Sequence, residues 1–314
     1  MRGAGRLYLL HLVVATLAVA LLAGAAALVV GELSFALPSS QAISNACVGW
    51  VQAGGPAALL GLSIAVLALT AIGLGLKSAH RQIQASRGYM GTLPVSSDSV
   101  KIGGIRCRLI DVDEPLAFCA GYLRPSVCLS SGAREQLAVA ELQAVVGHEA
   151  HHRARRDPLR LLAARALADS LFFIPILRRI SDRYSALGEL AADEAAVRAV
   201  RGRGPLASAL LKFSESGLDP APVVSIAPER VDHLMGDPDA TRWKLPPSPL
   251  GRSVVALAAL GAVVLLTWHG ILNPNLQVPL VLAAACMGLM VCGPIALGLG
   301  VLSLARRVPL LRRT

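Results

Sequence analysis

The stretch "VVGHEAHHRARRDP", residues 145–158, sets three histidines and a glutamate side by side. Imidazoles and carboxylates so placed can hold a metal ion or move a proton. On a helix each residue turns about 100°, so His148 and His152 fall about 40° apart, one turn along the same face. Both rings can then reach one ion. Glu149 falls about 80° from the midpoint of that pair, close enough to act as a base on a water at the ion. With His148 and His151 as the pair instead, Glu149 would point about 130° away. The spacing therefore selects His148 and His152 as metal ligands, with Glu149 as the catalytic base, and leaves His151 aside.

His148, Glu149 and His152 make up the H-E-x-x-H spacing of zinc peptidases. A catalytic zinc needs three protein ligands and one open position, so a third ligand is expected on another element. The stretch "GELAADEAAV", residues 188–197, offers Glu189 for that place. Asp193, one turn later on the same face, can accept the free ring N–H of a ligand histidine. Gly188 and the alanines would let the two helices approach closely. Glu194 is an alternative ligand, but it lies about 100° round from Asp193 and loses the paired geometry. The plainer readings are an i,i+4 polar cluster without metal, and a solvated face beside Arg198 and Arg201. Asp157 reads as a helix N-cap. Tyr122, Tyr184 and His233 are candidate oxyanion donors, and His11, His80 and His269 sit at the edges of apolar runs.

These residues lie in a chain of 314 residues that is 54% hydrophobic and only 16% charged, with a mean hydropathy of +0.58. That balance points to a membrane protein. Spans of about 20 apolar residues are expected at 7–30, 54–76, 253–269 and 279–305. The third apolar run, 254–268, is short and would borrow flanking residues. Of the 30 Lys and Arg, 24 lie between Lys77 and Arg252, and the other six flank the outer ends. The positive-inside rule then puts both termini and the long middle segment in the cytoplasm of a multi-pass plasma (inner) membrane protein. The run at 7–30 is longer than a signal-peptide core, so a retained span is expected. The net charge of +10 follows this topology and contact with anionic lipid, with no nucleic-acid partner expected. There is no CxxC, which removes zinc-ribbon and thioredoxin readings, and free cytoplasmic thiols are expected.

The chain divides into an N-terminal hairpin of spans (1–76), a cytoplasmic domain (77–213), a linker (214–252) and a C-terminal hairpin (253–314). Within the domain, "SVKIGGIRCRLIDV" reads as a β-hairpin turning at Gly103-Gly104. "LAFCAGYLRPSVCLSSG" supplies two more short strands around Arg124-Pro125. From Ala133 the pattern is helical, and Asp157-Pro158 opens a new helix. The fold expected is a mainly α membrane protein of about four spans, with a cytoplasmic α+β domain built on a small sheet.

The stretches "AFCAGYLRPSVCLSSG", "ELQAVVGHEAHHRARRDPLR" and "ELAADEAAV" resemble membrane-embedded metallopeptidases of the BlaR/MecR antirepressor type. The HtpX and CAAX-prenyl-endopeptidase group carries a related motif pair. The resemblance covers about residues 117–200. It implies a gluzincin-type zinc metalloendopeptidase with His148, His152 and Glu189 on Zn²⁺ and Glu149 as general base. Its protein substrate would be a transcriptional repressor or a membrane protein, cleaved in regulatory signalling. The alternatives are HtpX-like quality control of membrane proteins and a non-catalytic metal-binding adaptor. BlaR/MecR sensors carry an extracellular penicillin-binding domain after the last span. The sequence stops at Thr314, so a peptidase without that sensor is expected.

Overall fold

The computed structural model describes residues 2–31, 55–215, 230 and 246–269. Its helices begin with α1 (Arg2–Gly31) and α2 (Gly55–Thr92). Strands β1 (Val95–Ile102), β2 (Ile105–Ile110), β3 (Ala117–Ala120) and β4 (Ser126–Ser130) follow. Then come α3 (Ser131–Gln136), α4 (Val139–Arg155), α5 (Asp157–Ser170), α6 (Pro175–Val200), α7 (Gly204–Glu215) and α8 (Pro247–Trp268).

Three of these helices are long and apolar enough to cross a membrane, at Gly3–Val29, Leu60–Thr92 and Pro247–Trp268. The third apolar run does borrow flanking residues: α8 starts at Pro247, before the run begins, with a proline in its first turn where no N–H is needed. The fourth expected span, 279–305, lies outside the described residues. The second span does not stop where its apolar run ends. It continues as one helix to Thr92 and so carries polar residues into the unit that holds the histidines.

Two compact units divide the chain. One comprises Ala20–Leu69 and Ala258–Thr314, and in it Ala25, Val29 and Ile64 form a small apolar cluster with Val263 and Val264. The other comprises Met1–Val19 and Thr70–Leu257. Its larger core packs the start of α1 (Ala4, Leu7, Ala15, Ala18) on Leu171, Ile174, Leu177, Ile180 and Tyr184. His11 is fully buried.

A four-stranded mixed sheet of order β1-β2-β4-β3 completes this unit. β1 and β2 form the expected hairpin, with Gly103 and Gly104 at φ +56° and +80°, the left-handed pair that a tight two-residue turn requires. β2 and β4 run parallel, while β3 pairs antiparallel with β4 and forms an edge. Side chains alternate along each strand. Val127 and Leu129 face α4 and α7, whereas Cys128, Ile110 and Phe118 face the end of α2 around Tyr89 and Met90.

Glu141 fastens α4 to α7. Its carboxylate accepts from the Ala138 N–H at the helix start (2.7 Å), from Lys212 Nζ (2.7 Å) and from Ser208 Oγ (2.6 Å). The Lys212 bond, then the Ser208 bond, hold its pKa down to about 2.

Candidate metal centre

The helix α4 buries Ala144, Val145, Val146, His148, Glu149 and His152, so the motif faces inward. It crosses α6 closely at Gly147. A Cβ there would stand 3.3 Å from Ala199 Cβ and 3.6 Å from Ala196 Cα. The sequence reading assigned this closeness to the alanines and Gly188; Ala196 does line the crossing, whereas a Cβ at Gly188 would meet nothing within 4 Å among the described residues. The glycine that matters is on the histidine helix, because that is where the two axes cross.

This crossing brings Glu189 to the histidine pair. Glu189 Oε2 lies 3.4 Å from His148 Nε2, and Oε1 lies 3.5 Å from His152 Nε2. The two Nε2 atoms are 3.2 Å apart. One donor atom from each of the three residues falls within 4.8 Å of the others, so the group could hold a metal ion.

The second ring nitrogens each meet a buried aspartate. His152 Nδ1 donates to Asp157 Oδ2 at 2.9 Å. His148 Nδ1 stands 2.9 Å from Asp193 Oδ1, an ion-pair contact too oblique for a straight hydrogen bond. Because a carboxylate can only accept, these contacts assign the imidazole protons to Nδ1. Both Nε2 lone pairs then face each other and the Glu189 carboxylate. Glu189 Oε2 is itself buried with no hydrogen bond among the described residues. Lone pairs so arranged repel unless a cation stands among them, and the residues fit a metal on that ground. A proton can take the same role in the free protein. Burial opposes charge on His148, but Asp193 and Glu189 outweigh it and raise its pKa to about 10. Burial likewise opposes charge on Glu189, yet His148, His152 and Arg230 hold it below its usual range.

Two partners differ from the sequence reading. Asp157 does not cap a helix with its side chain. It opens α5 directly after Arg156, whose left-handed backbone (φ 54°) turns the chain sharply. The turn folds Asp157 back onto His152, and Tyr184 donates to its other oxygen at 3.1 Å. Arg230 was not foreseen. It is buried, and its guanidinium grips Asp193 through Nε (2.9 Å) and Nη2 (2.6 Å), with Nη1 3.5 Å from Glu189. One arginine far from both motifs carries no periodic signal that would single it out.

The remaining candidates lie away from the cluster. His151 is not among the grouped donors, and its ring meets that of His152 edge-on at 6.3 Å. Glu194 sits on the helix surface beside Arg198 at 3.5 Å. Asp193 is fully buried, which rules out a solvated face. The Tyr122 hydroxyl donates to the Gln82 carbonyl (3.1 Å), and His233 lies outside the described residues.

A groove of about 400 Å³ opens beside His152 and Glu189. Phe118 to Tyr122 of the β3 edge form one wall, Tyr89 and Met90 of α2 another, and Leu161 and Leu162 of α5 the floor. Cys119 lines it too. Burial, then the nearby Glu149, push its thiol up to about 12, so it is no nucleophile at neutral pH.

No curated protein and no solved structure matches the chain. Residues 107–183, which hold His148, Glu149 and His152 and stop short of Glu189, match the model of Peptidase family M48, and that match indicates a metallopeptidase.

Proposed function

We propose that this chain is a zinc-dependent endopeptidase held at the cytoplasmic face of a membrane by its apolar helices. The observation that carries the reading is the convergence of two Nε2 atoms and the Glu189 carboxylate, each ring backed by a buried aspartate. A His₂Glu donor set with an adjacent unligated glutamate suits catalytic zinc.

Bound Zn²⁺ supplies Lewis acidity, polarising a scissile carbonyl and acidifying water. His148, His152 and Glu189 hold it, while Asp193 and Asp157 keep the imidazole protons on Nδ1. Glu149 is buried, and its Oε2 has no hydrogen-bond partner among the described residues. Burial raises its pKa, with His148 and His152 pulling the other way. Such a carboxylate can take a proton from water and return it to a leaving amine. The free edge of β3 can bind an extended peptide by strand addition, and the groove can take a large apolar side chain.

The test is Glu149→Gln in the full chain, with metal content and cleavage measured together. We expect unchanged zinc and a loss of cleavage of roughly 10²–10⁴-fold. Zinc retained with undiminished activity would sink the proposal and favour an adaptor. Proteins that accumulate uncleaved on Glu149→Gln also identify the role. A single repressor-type substrate fits BlaR/MecR-like regulation, which the resemblance favours, and many unfolded membrane proteins fit quality control.

A further inference from the structure

A second cavity, of about 1100 Å³, lies among α2, α5, α6 and the start of α8. Six cations line it: Lys77, Arg81, Arg165, Arg178, Arg179 and Arg252. Only two carboxylates face them, and one of these, Asp169, accepts the Ser78 hydroxyl at 2.6 Å. Among the described residues none of the six is ion-paired with a carboxylate. Cations gathered this way repel one another, and an anion is the simplest relief.

The cavity's position says which anion. Lys77 is the first charge after the apolar run of α2, and Arg252 is the last before the apolar run of α8. Both helices therefore deliver their membrane-edge cations into the same hollow. The walls are held firmly: Ser170 Oγ donates to the Ala71 carbonyl at 2.8 Å, and a Cβ at Gly75 would stand 3.0 Å from Ser170 Cβ. The exposed ring of Phe172 and the side chain of Leu74 add an apolar margin on which an acyl chain can lie.

We propose that this cavity binds the phosphate headgroup of an anionic phospholipid from the surrounding bilayer. Basic pockets between membrane helices at their cytoplasmic ends recognise such headgroups by charge and shape. Guanidinium groups, which meet phosphate oxygens two at a time, suit the role better than ammonium groups. The site stands apart from the histidines, and lipid binding is read without any cleavage, so it does not rest on the peptidase reading. Arg165 and Gln82 line both this cavity and the groove beside His152.

The test uses the full chain in detergent, mixed with phosphatidylglycerol or phosphatidylcholine, with bound lipid counted by native mass spectrometry. We expect one phosphatidylglycerol retained per chain and no phosphatidylcholine. The double variant Arg178→Gln, Arg252→Gln removes two exposed cations and should weaken retention by roughly tenfold or more. Its thermal unfolding should match wild type, because neither side chain is buried. The control Arg6→Gln, Arg87→Gln makes the same charge change outside the cavity and should retain the lipid. Equal loss in both variants would mean diffuse surface attraction and would overturn the site. Inorganic phosphate is the second arm. If it binds with the same dependence on Arg178 and Arg252 while phosphatidylglycerol is not retained, the ligand is a soluble phosphate and the lipid assignment fails.

Discussion

Asp157 Oδ2 lies 2.9 Å from Nδ1 of His152, across the break between two helices. The aspartate lies just beyond the motif, yet it reaches the ring because Arg156 reverses the chain between them. A carboxylate on Nδ1 sets the ring's tautomer and raises the basicity of Nε2. Asp157→Asn keeps the shape and removes the charge. We expect zinc affinity to fall by about 10–100-fold in chelator competition. Tyr184→Phe, which leaves the histidine contact intact, should cost less. Unchanged affinity in Asp157→Asn would remove this residue from the site.

Arg230 is a counter-charge for the buried Asp193 and the half-buried Glu189. Removing it in Arg230→Ala leaves Asp193 with His148 as its one remaining partner among the described residues, and breaking a buried pair costs about 3–5 kcal/mol. Thermal unfolding of metal-free protein should show that loss. Arg230→Lys should recover only part of it, since an ammonium cannot reproduce the two-point grip on Asp193. Full rescue by lysine would show that charge alone is required.

Gly147 at the helix crossing and Gly188 away from it should behave oppositely. Gly147→Val pushes branched carbons into Ala199 and Ala196, at a cost of about 1–3 kcal/mol from overpacking. It should also lower zinc affinity, because α6 carries Glu189. Gly188→Ala meets open space and should stabilise the helix by about 0.5–1 kcal/mol. The same melting experiment reads both, and a Gly188→Ala variant as damaged as Gly147→Val would contradict the crossing.

Acid should loosen the grip of α7 on α4. Glu141 has a folded pKa of about 2, below its usual 4.5, owing first to Lys212 and then to Ser208. A depressed carboxylate pKa contributes stability that is complete above the unfolded value and is lost as pH falls through the folded one. The window therefore runs from about pH 4.5 down to about pH 2. Lys212→Met should flatten acid unfolding in that window and leave stability at pH 7 lower by about 1–2 kcal/mol. An identical pH profile for the variant would assign the acid transition elsewhere.

The groove beside the histidines implies a side-chain preference. Tyr89, Met90, Phe118, Leu161 and Leu162 offer apolar walls, so peptides with a large apolar residue next to the scissile bond should be cut best. Each methylene in such a pocket is worth about 1–3 kcal/mol in kcat/KM. Leu162→Trp, which narrows the groove, should shift the preference to smaller residues, as a peptide library would show. A charged residue preferred at that position would rule out this groove as the subsite.

Much of this architecture is legible in the sequence because it rests on local periodicity. Gly103-Gly104 demands a tight turn, uncharged runs mark the long helices, and a repeat of 3.6 puts His148 and His152 on one face with Glu149 beside them. Those are angles within one element, and neighbouring residues suffice to set them. Distances between elements are another matter. That Glu189 stands 3.4 Å from His148 depends on where α6 crosses α4, and Gly147, not Gly188, sets that crossing. Asp157 looked like a helix cap because the residue types agree with one, whereas its partner depends on a single left-handed residue before it. Arg230 joins Asp193 from far along the chain, and the buried carboxylate it meets there exists as a buried group only once the helices have packed. The spacing of the motif determined which groups could meet an ion; the tertiary packing decided which charges surround them.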